Sequence, residues 1–299
     1  MKNILEQATN KINIIGKLID AAVNSGTLKD GRKYLRANLT VRVNQTYGGH
    51  EEISEIPVSM FAAEYTQANK PNPGYKQIQA LEEMKSAQNV GYDNADTVRI
   101  SGANLRENNF VSKSGQLVNS WQINTSFINT IGKADSGVAS FAIDIFIMDM
   151  SNEVDREGDE TGRLIVKGGI VQYGGKLDVL EFVVEQPDAV DFVERNWNIN
   201  DTVNVRGRVR VTSREEKPSG ASGSWGEDIP ESTTRTIREL IITTGDDQGR
   251  EEDFAYDPTD IKKAFNVRKA SIEQLQIDAK NATKKEAPST TTSNKYSWE

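Results

Sequence analysis

An internal repeat limits what this chain can fold into more than any other feature. Tyr47–Val58 reads YGGHEEISEIPV and Tyr173–Val184 reads YGGKLDVLEFVV, with five of twelve positions identical and three more similar. Asp96–Gly102 (DTVRISG) matches Asp201–Gly207 (DTVNVRG) at four of seven positions, with Ile100 against Val205. Ahead of each Tyr-Gly-Gly stretch lies an apolar segment, Ile12–Asp20 (INIIGKLID) or Phe141–Asp149 (FAIDIFIMD). Three matched stretches in one order are the mark of a duplicated unit; chance hairpins have no reason to keep the order.

The spacing shows how the copies differ. Gly48 to Gly102 spans 54 residues and Gly174 to Gly207 spans 33, so the first copy holds 21 more between its third and fourth strands. The extra stretch opens with a Pro/Asn/Gly loop and continues with Ile78, Leu81 and Met84 at helical spacing. The second copy has only PDAVDFVERNWN there, room for a short helix. Elsewhere the period is two. Leu35, Ala37, Leu39, Val41 and Val43 fall on one face of a strand, and Tyr34, Arg36, Asn38, Thr40 and Arg42 on the other. Val203, Val205, Val209 and Val211 face inward, which turns Asn204, Arg206, Arg208 and Arg210 outward. Ser120–Ile128 and Arg235–Thr244 supply the last strands.

Five strands with a helix between the third and fourth is the order of the OB-fold, a small Greek-key barrel without exposed edges. The expected fold is mainly β: two tandem OB-fold-like five-stranded barrels with a C-terminal helix and a flexible tail. The first barrel is assigned to residues 1–132, with a helical insertion at 66–95. The second is assigned to 133–245, with a long loop at 213–235. Residues 246–299 form an acidic linker, a helix starting near Pro258 with Ile261, Phe265, Ile272 and Leu275 apolar, and a disordered tail. Gly102 and Gly207 fit a crowded barrel bend or a bulge equally well.

Composition excludes several functions. There is no Cys, so disulfides, thiolate metal sites and Cys nucleophiles are absent, which fits a reducing cytoplasm. One histidine, His50 beside a glycine turn, makes a His-based metal site or triad untenable. No apolar run reaches membrane-spanning length, and the first residues do not read as a signal peptide. Phosphate-loop, dinucleotide and nucleophile-elbow motifs are missing. Asp144 and Asp149 fall on opposite faces of one strand, and the acidic loop Asn152–Gly162 lacks cation-loop spacing. No cofactor or catalysis is expected.

Binding fares better. Net charge is −8, so a nucleic acid needs a local concentration of cations. A barrel that holds a single strand offers basic side chains to the phosphates and aromatic rings to the bases. In the first copy the candidates are Lys33, Tyr34, Arg36, Arg42, Tyr47, Arg99, Phe110 and Lys113; in the second they are Lys167, Tyr173, Lys176, Arg206, Arg208 and Arg210. Trp225, in the Gly/Ser-rich loop Arg214–Arg235, is a candidate clamp. Tyr47 and Tyr173 either pack across their hairpins or stack on bases; Trp121 and Trp197 are expected in the core. The acidic Asn152–Gly162 loop flanks the second groove and would repel phosphate.

With these features the chain resembles tandem-OB single-stranded DNA-binding proteins of the kind large bacteriophages encode for replication, over residues 11–245. The resemblance implies a non-enzymatic protein of the host cytoplasm that coats and protects single-stranded DNA during replication or recombination, without sequence preference. It also implies replication or recombination proteins as partners. Bacterial relatives end in an acidic tail with a Pro-Phe tip; this chain ends in KYSWE and carries acidic-hydrophobic stretches internally, at GEDIP and EEDFAYD. The alternative, a virion component built from two β-barrels, needs no basic-aromatic face.

Overall fold

The computed structural model describes residues 5–112, 114–134, 136–216 and 233–286. Its first half runs β1 (Asn10–Thr27), β2 (Lys33–Tyr47), β3 (His50–Ala63), α1 (Pro73–Gln79), α2 (Ala87–Val90) and β4 (Thr97–Glu107). A small hairpin of β5 (Phe110–Val111) and β6 (Leu117–Val118) follows, then β7 (Trp121–Thr125) and β8 (Asn129–Ile131). The second half runs β9 (Val138–Val154), β10 (Glu160–Gln172), β11 (Lys176–Val184), α3 (Pro187–Asn196), β12 (Thr202–Glu216) and β13 (Thr233–Gly245). Helix α4 (Pro258–Glu286) ends the described chain.

Each half makes the same circuit of pairings. In the first, β1 pairs with β2, β2 with β3, β3 in parallel with β7, β7 with β4, and β4 back with β1. In the second, β9, β10, β11, β13 and β12 repeat the circuit, again with one parallel rung, between β11 and β13. Both halves are OB-fold-like barrels, as the duplicated strand pattern requires. The alternation places the cores as expected. Ile14, Val41, Val43, Ile56, Ile100 and Ile123 are fully buried in the first barrel; Ile143, Val166, Phe182, Val205, Val209 and Leu240 are in the second. Each such apolar side chain contributes about 1.5–3 kcal/mol relative to exposure. The insertion caps the first barrel. Asn72 caps α1 by accepting from the Gly74 amide, and Ile78 and Leu81 are buried.

A direct pairing of β1 with β9 joins the barrels into one 11-stranded sheet. Its register carries information. Ile14 pairs with Ile100 in one barrel, and Ile143 with Val205 in the other, so Ile14 and Ile143 are counterparts. Two residues earlier in each copy stand Ile12 and Phe141, and these two pair with each other. An element facing its own counterpart is the signature of a two-fold relation. Each first strand also bulges at the matching place, after Leu18 and after Ile147.

The repeat is less uniform in its turns. Tyr47 pairs with His50 across a two-residue Gly48-Gly49 turn, whereas Gln172 pairs with Lys176 and leaves Tyr173 at the tip, 83% exposed. The two Tyr-Gly-Gly stretches therefore occupy one topological position but are one residue out of step. Asn152–Gly162, expected as a loop, is mostly strand, with a turn in which the Asp155 carboxylate accepts the Glu157 and Asp159 amides. The last strand of the first copy is shorter than expected and is followed by β8 on β4.

The glycines of the fourth strands divide the two expected roles. Gly102 sits at a bulge with φ +67 and open space around it; Gly207 is pressed so closely that a Cβ would lie 1.9 Å from the Ile241 carbonyl oxygen. Gly102→Ala is expected to cost about 1–2 kcal/mol through backbone strain. Gly207→Ala is expected to cost about 3 kcal/mol or more, because backbone cannot swing aside as a side chain does. Urea unfolding of the two variants separates these mechanisms; equal losses would contradict it.

Candidate nucleic-acid interface

The outer face of β2 and β3 in the first barrel holds the open, cation-bearing groove. The alternation that buries Met60 and Ala62 turns Phe61 outward, where it is 55% exposed and pairs across the strands with Arg36. Its ring lies 5.3 Å from that of Tyr34, tilted by 37°. Tyr34 in turn lies flat on Gly26 of β1, where a Cβ would come within 2.5 Å of the ring. Tyr34 thus has a floor beneath it and Phe61 has Tyr34 beside it, which holds an exposed aromatic in one orientation.

A groove of about 650 Å³ opens beside this pair. Lys29 from the β1–β2 loop and Arg36 supply positive charge. Asn104, Gln122 and Asn124 supply amides, and no carboxylate among the described residues lines it. Lys29, Lys33 and Arg36 are exposed and make no ion pair among the described residues. The loop is fixed by its own bonds: Arg32 pairs with Asp30 at 2.6 Å and donates to the Tyr65 carbonyl at 3.0 Å. That hydrogen-bonded pairing lowers the Asp30 pKa and raises that of Arg32.

The structure separates the other candidates. Arg42, about 26 Å along β2 from Tyr34 at strand rise, pairs with Glu55 and lies over the Tyr92 ring. Arg99 is exposed on β4, away from the groove lining. Phe110 is exposed on the β5–β6 hairpin, which packs beside α4. Lys113 and Trp225 lie outside the described residues, as does GEDIP. Lys167 stands in register between Asp149 and Glu181, and Lys176 lines a cleft against α4. Arg206 is exposed and donates to Asn204.

Arg208 and Arg210 require correction. Both point out of their barrel, yet both are committed to carboxylates: Arg208 is buried where the first barrel packs on β12, and Arg210 lines an acidic cleft of about 680 Å³ with Glu52 and Glu239. Arg208 is 7% exposed, bonded to Glu52 and Glu185, with its guanidinium 4.2 Å from the centre of the Tyr47 ring. Arg210 pairs with Glu239 at 2.5 Å and Glu185 at 3.2 Å. Tyr47, half-buried, therefore packs on an arginine of the other barrel. Trp121 and Trp197 are buried, as expected. Asp144 is structural: it accepts from Thr9, Asn204 and Arg250. Burial pushes its pKa up, but those bonds outweigh burial and leave it lowered.

Sequence reasoning missed Phe61, Lys29 and the three amides. Carrying the β2 alternation through the hairpin into β3 would have turned Phe61 outward opposite Arg36. The amides carry no such signal, because their convergence depends on how β4 and β7 meet β3.

Fold and groove together define a tandem OB-fold-like protein with one open basic-aromatic face. The YorF family model matches residues 8–278, and the chain belongs to that family. The fold is similar to the wild-type single-stranded DNA binding protein from Thermus aquaticus, with 12% identity, TM-score 0.51, and coverage of 84% of this chain and 98% of that one. A deletion mutant of the Thermus protein matches over the same shares with TM-score 0.50 and 12% identity. No curated protein matches the chain. Among the described residues, no helix is long and apolar enough to cross a membrane.

Glu239 supplies a pH test of the cluster on β12 and β13. Burial raises its pKa, but hydrogen bonds from Arg163 and Arg210 outweigh burial and leave it below 4.5. The unfolded state then binds more protons than the folded one at acid pH, so this stabilisation is present above 4.5 and fades as pH falls through the lowered folded value. As pH falls from about 5 to about 3, Glu239→Gln is expected to lose less stability than wild type in chemical unfolding. Parallel pH curves for the two would contradict the role given to Glu239.

Proposed function

We propose that this protein binds single-stranded DNA without sequence preference, through the groove of its first barrel, as a non-enzymatic factor in replication or recombination. The observation that carries this reading is the Phe61–Tyr34 pair beside Lys29 and Arg36, in a groove free of carboxylates among the described residues, with Lys33 exposed at the start of β2, on a chain whose net charge is −8. Bulk charge repels a polyanion, so cations left without acid partners beside an exposed ring need a reason, and a strand with its bases turned out supplies one. Phe61 stacks on a base, Tyr34 braces it, the three cations meet consecutive phosphates, and the amides bond whichever base edge arrives. The fold shared with the Thermus protein supports the same reading.

The wider setting belongs to the proposal too: a phage-encoded protein working in the host cytoplasm. Its acidic-aromatic segment at 251–257, with Phe254 73% exposed, is offered to other replication proteins.

Fluorescence anisotropy with labelled oligothymidine tests the proposal. Base–aromatic stacking is worth roughly 1–3 kcal/mol, so Phe61→Ala is expected to weaken binding by about 5- to 150-fold. Three phosphate contacts on a single strand predict a log-affinity against log-salt slope on the order of −2. Duplex DNA of the same length should bind more weakly. Unchanged affinity in Phe61→Ala, or equal affinity for duplex, would sink the reading.

A further inference from the structure

The two-fold relation allows the groove to be compared position by position with its counterpart. Leu18 pairs with Val41 and Ile147 with Gly168, ahead of matching bulges, so Arg36 corresponds to Arg163. Following the rungs onward, Phe61 corresponds to Glu185, Asn104 to Arg208 and Gln122 to Glu239. The aromatic has become an acid, one amide an acid, and another amide an arginine.

These replacements pair with one another. Arg163 bonds Glu239 at 2.5 Å; Arg208 bonds Glu185; Arg210 reaches both acids. The first barrel's β2–β3 hairpin then lies on the same cluster. It places the Tyr47 ring over Arg208 and the Glu52 carboxylate on Arg208 and Arg210, while the Ser54 hydroxyl accepts the Val211 amide at 3.2 Å. The reciprocal hairpin makes the reciprocal contact, with the Asp178 carboxylate accepting the Glu107 amide at 3.2 Å. It touches the end of β4 and leaves Phe61 and Arg36 open.

We infer that strand binding is confined to the first barrel, because at the second barrel's equivalent groove Glu52, Glu185 and Glu239 already hold the arginines, and the cleft of about 680 Å³ that stays open beside Arg163 and Arg210 is lined by the carboxylates of Glu52, Glu55 and Glu239. Tyr47 and Glu52 act there as an internal ligand: a ring against a guanidinium and an anion between two arginines, the two kinds of contact a nucleotide would make. Each chain therefore presents one groove fit for a polyanion, although it contains two barrels. The inference rests on the strand-binding reading above and deepens it.

Native mass spectrometry and calorimetry of the full chain with an oligothymidine of about eight nucleotides, a length one OB-fold can hold, test it. One oligonucleotide per chain is expected. Phe61→Ala, a change at an exposed position whose folding circular dichroism verifies, should weaken that single site at least 5-fold and uncover no second one. Two oligonucleotides per wild-type chain would overturn the inference while leaving strand binding intact. So would a Phe61→Ala chain that keeps one site of wild-type affinity. Absence of any binding by wild type would overturn strand binding and this inference together.

Discussion

The antiparallel pairing of β1 with β9 is the constraint on which the rest depends. Because Ile12 faces its own counterpart Phe141, the barrels are related by a two-fold, and each β2–β3-type hairpin must fall on the other barrel's fourth strand. That geometry takes the middle of the outer surface of β12, at Arg208, out of solvent. It converts Arg208 from a surface cation into part of a buried ion-pair cluster. A buried charge without partners costs several kcal/mol, so the cluster must be near-complete to be tolerated. Glu52, Glu185 and Glu239 supply its acids, and the Nε groups of Arg163 and Arg208 are left without a hydrogen-bond partner among the described residues.

Two barrels of one topology thus carry opposite chemistry on equivalent faces. In the first, the positions around Arg36 are aromatic or amide, and the cations stay unpaired. In the second, Ile241 stands for Asn124, and the other equivalent positions form a salt-bridge network that Glu52 of the first barrel joins. A net charge of −8 masks this division, because what a passing polyanion meets is the local field of the exposed face. On the groove that field comes from Lys29 and Arg36, which have no acid partner among the described residues, and it reaches a Debye length, ~8–10 Å, into solvent.

Much of the fold was legible in the sequence. A period-two pattern fixes which side chains enter a barrel, and three matched stretches fix the duplication. Leu35 to Val43 and Val203 to Val211 all lie inward as their alternation requires. The helical insertion followed from spacing alone. The site was legible only in part. Alternation tells inside from outside of one barrel; it does not tell solvent from a second barrel. Arg206, Arg208 and Arg210 look alike in the sequence, but only Arg206 is exposed. Likewise, two identical Tyr-Gly-Gly strings place one tyrosine beneath an arginine and leave the other at a tip, because the turns differ by one residue.

Photocrosslinking of an iodinated deoxyuridine oligonucleotide to the full-length chain, followed by peptide mapping, tests the central claim most directly, because it reports where bases rest. The account predicts crosslinks at Phe61 and Tyr34, competed away by unlabelled single strand. Crosslinks concentrated instead on the β10–β13 face around Arg163 and Arg210, or spread evenly over both barrels, would contradict it.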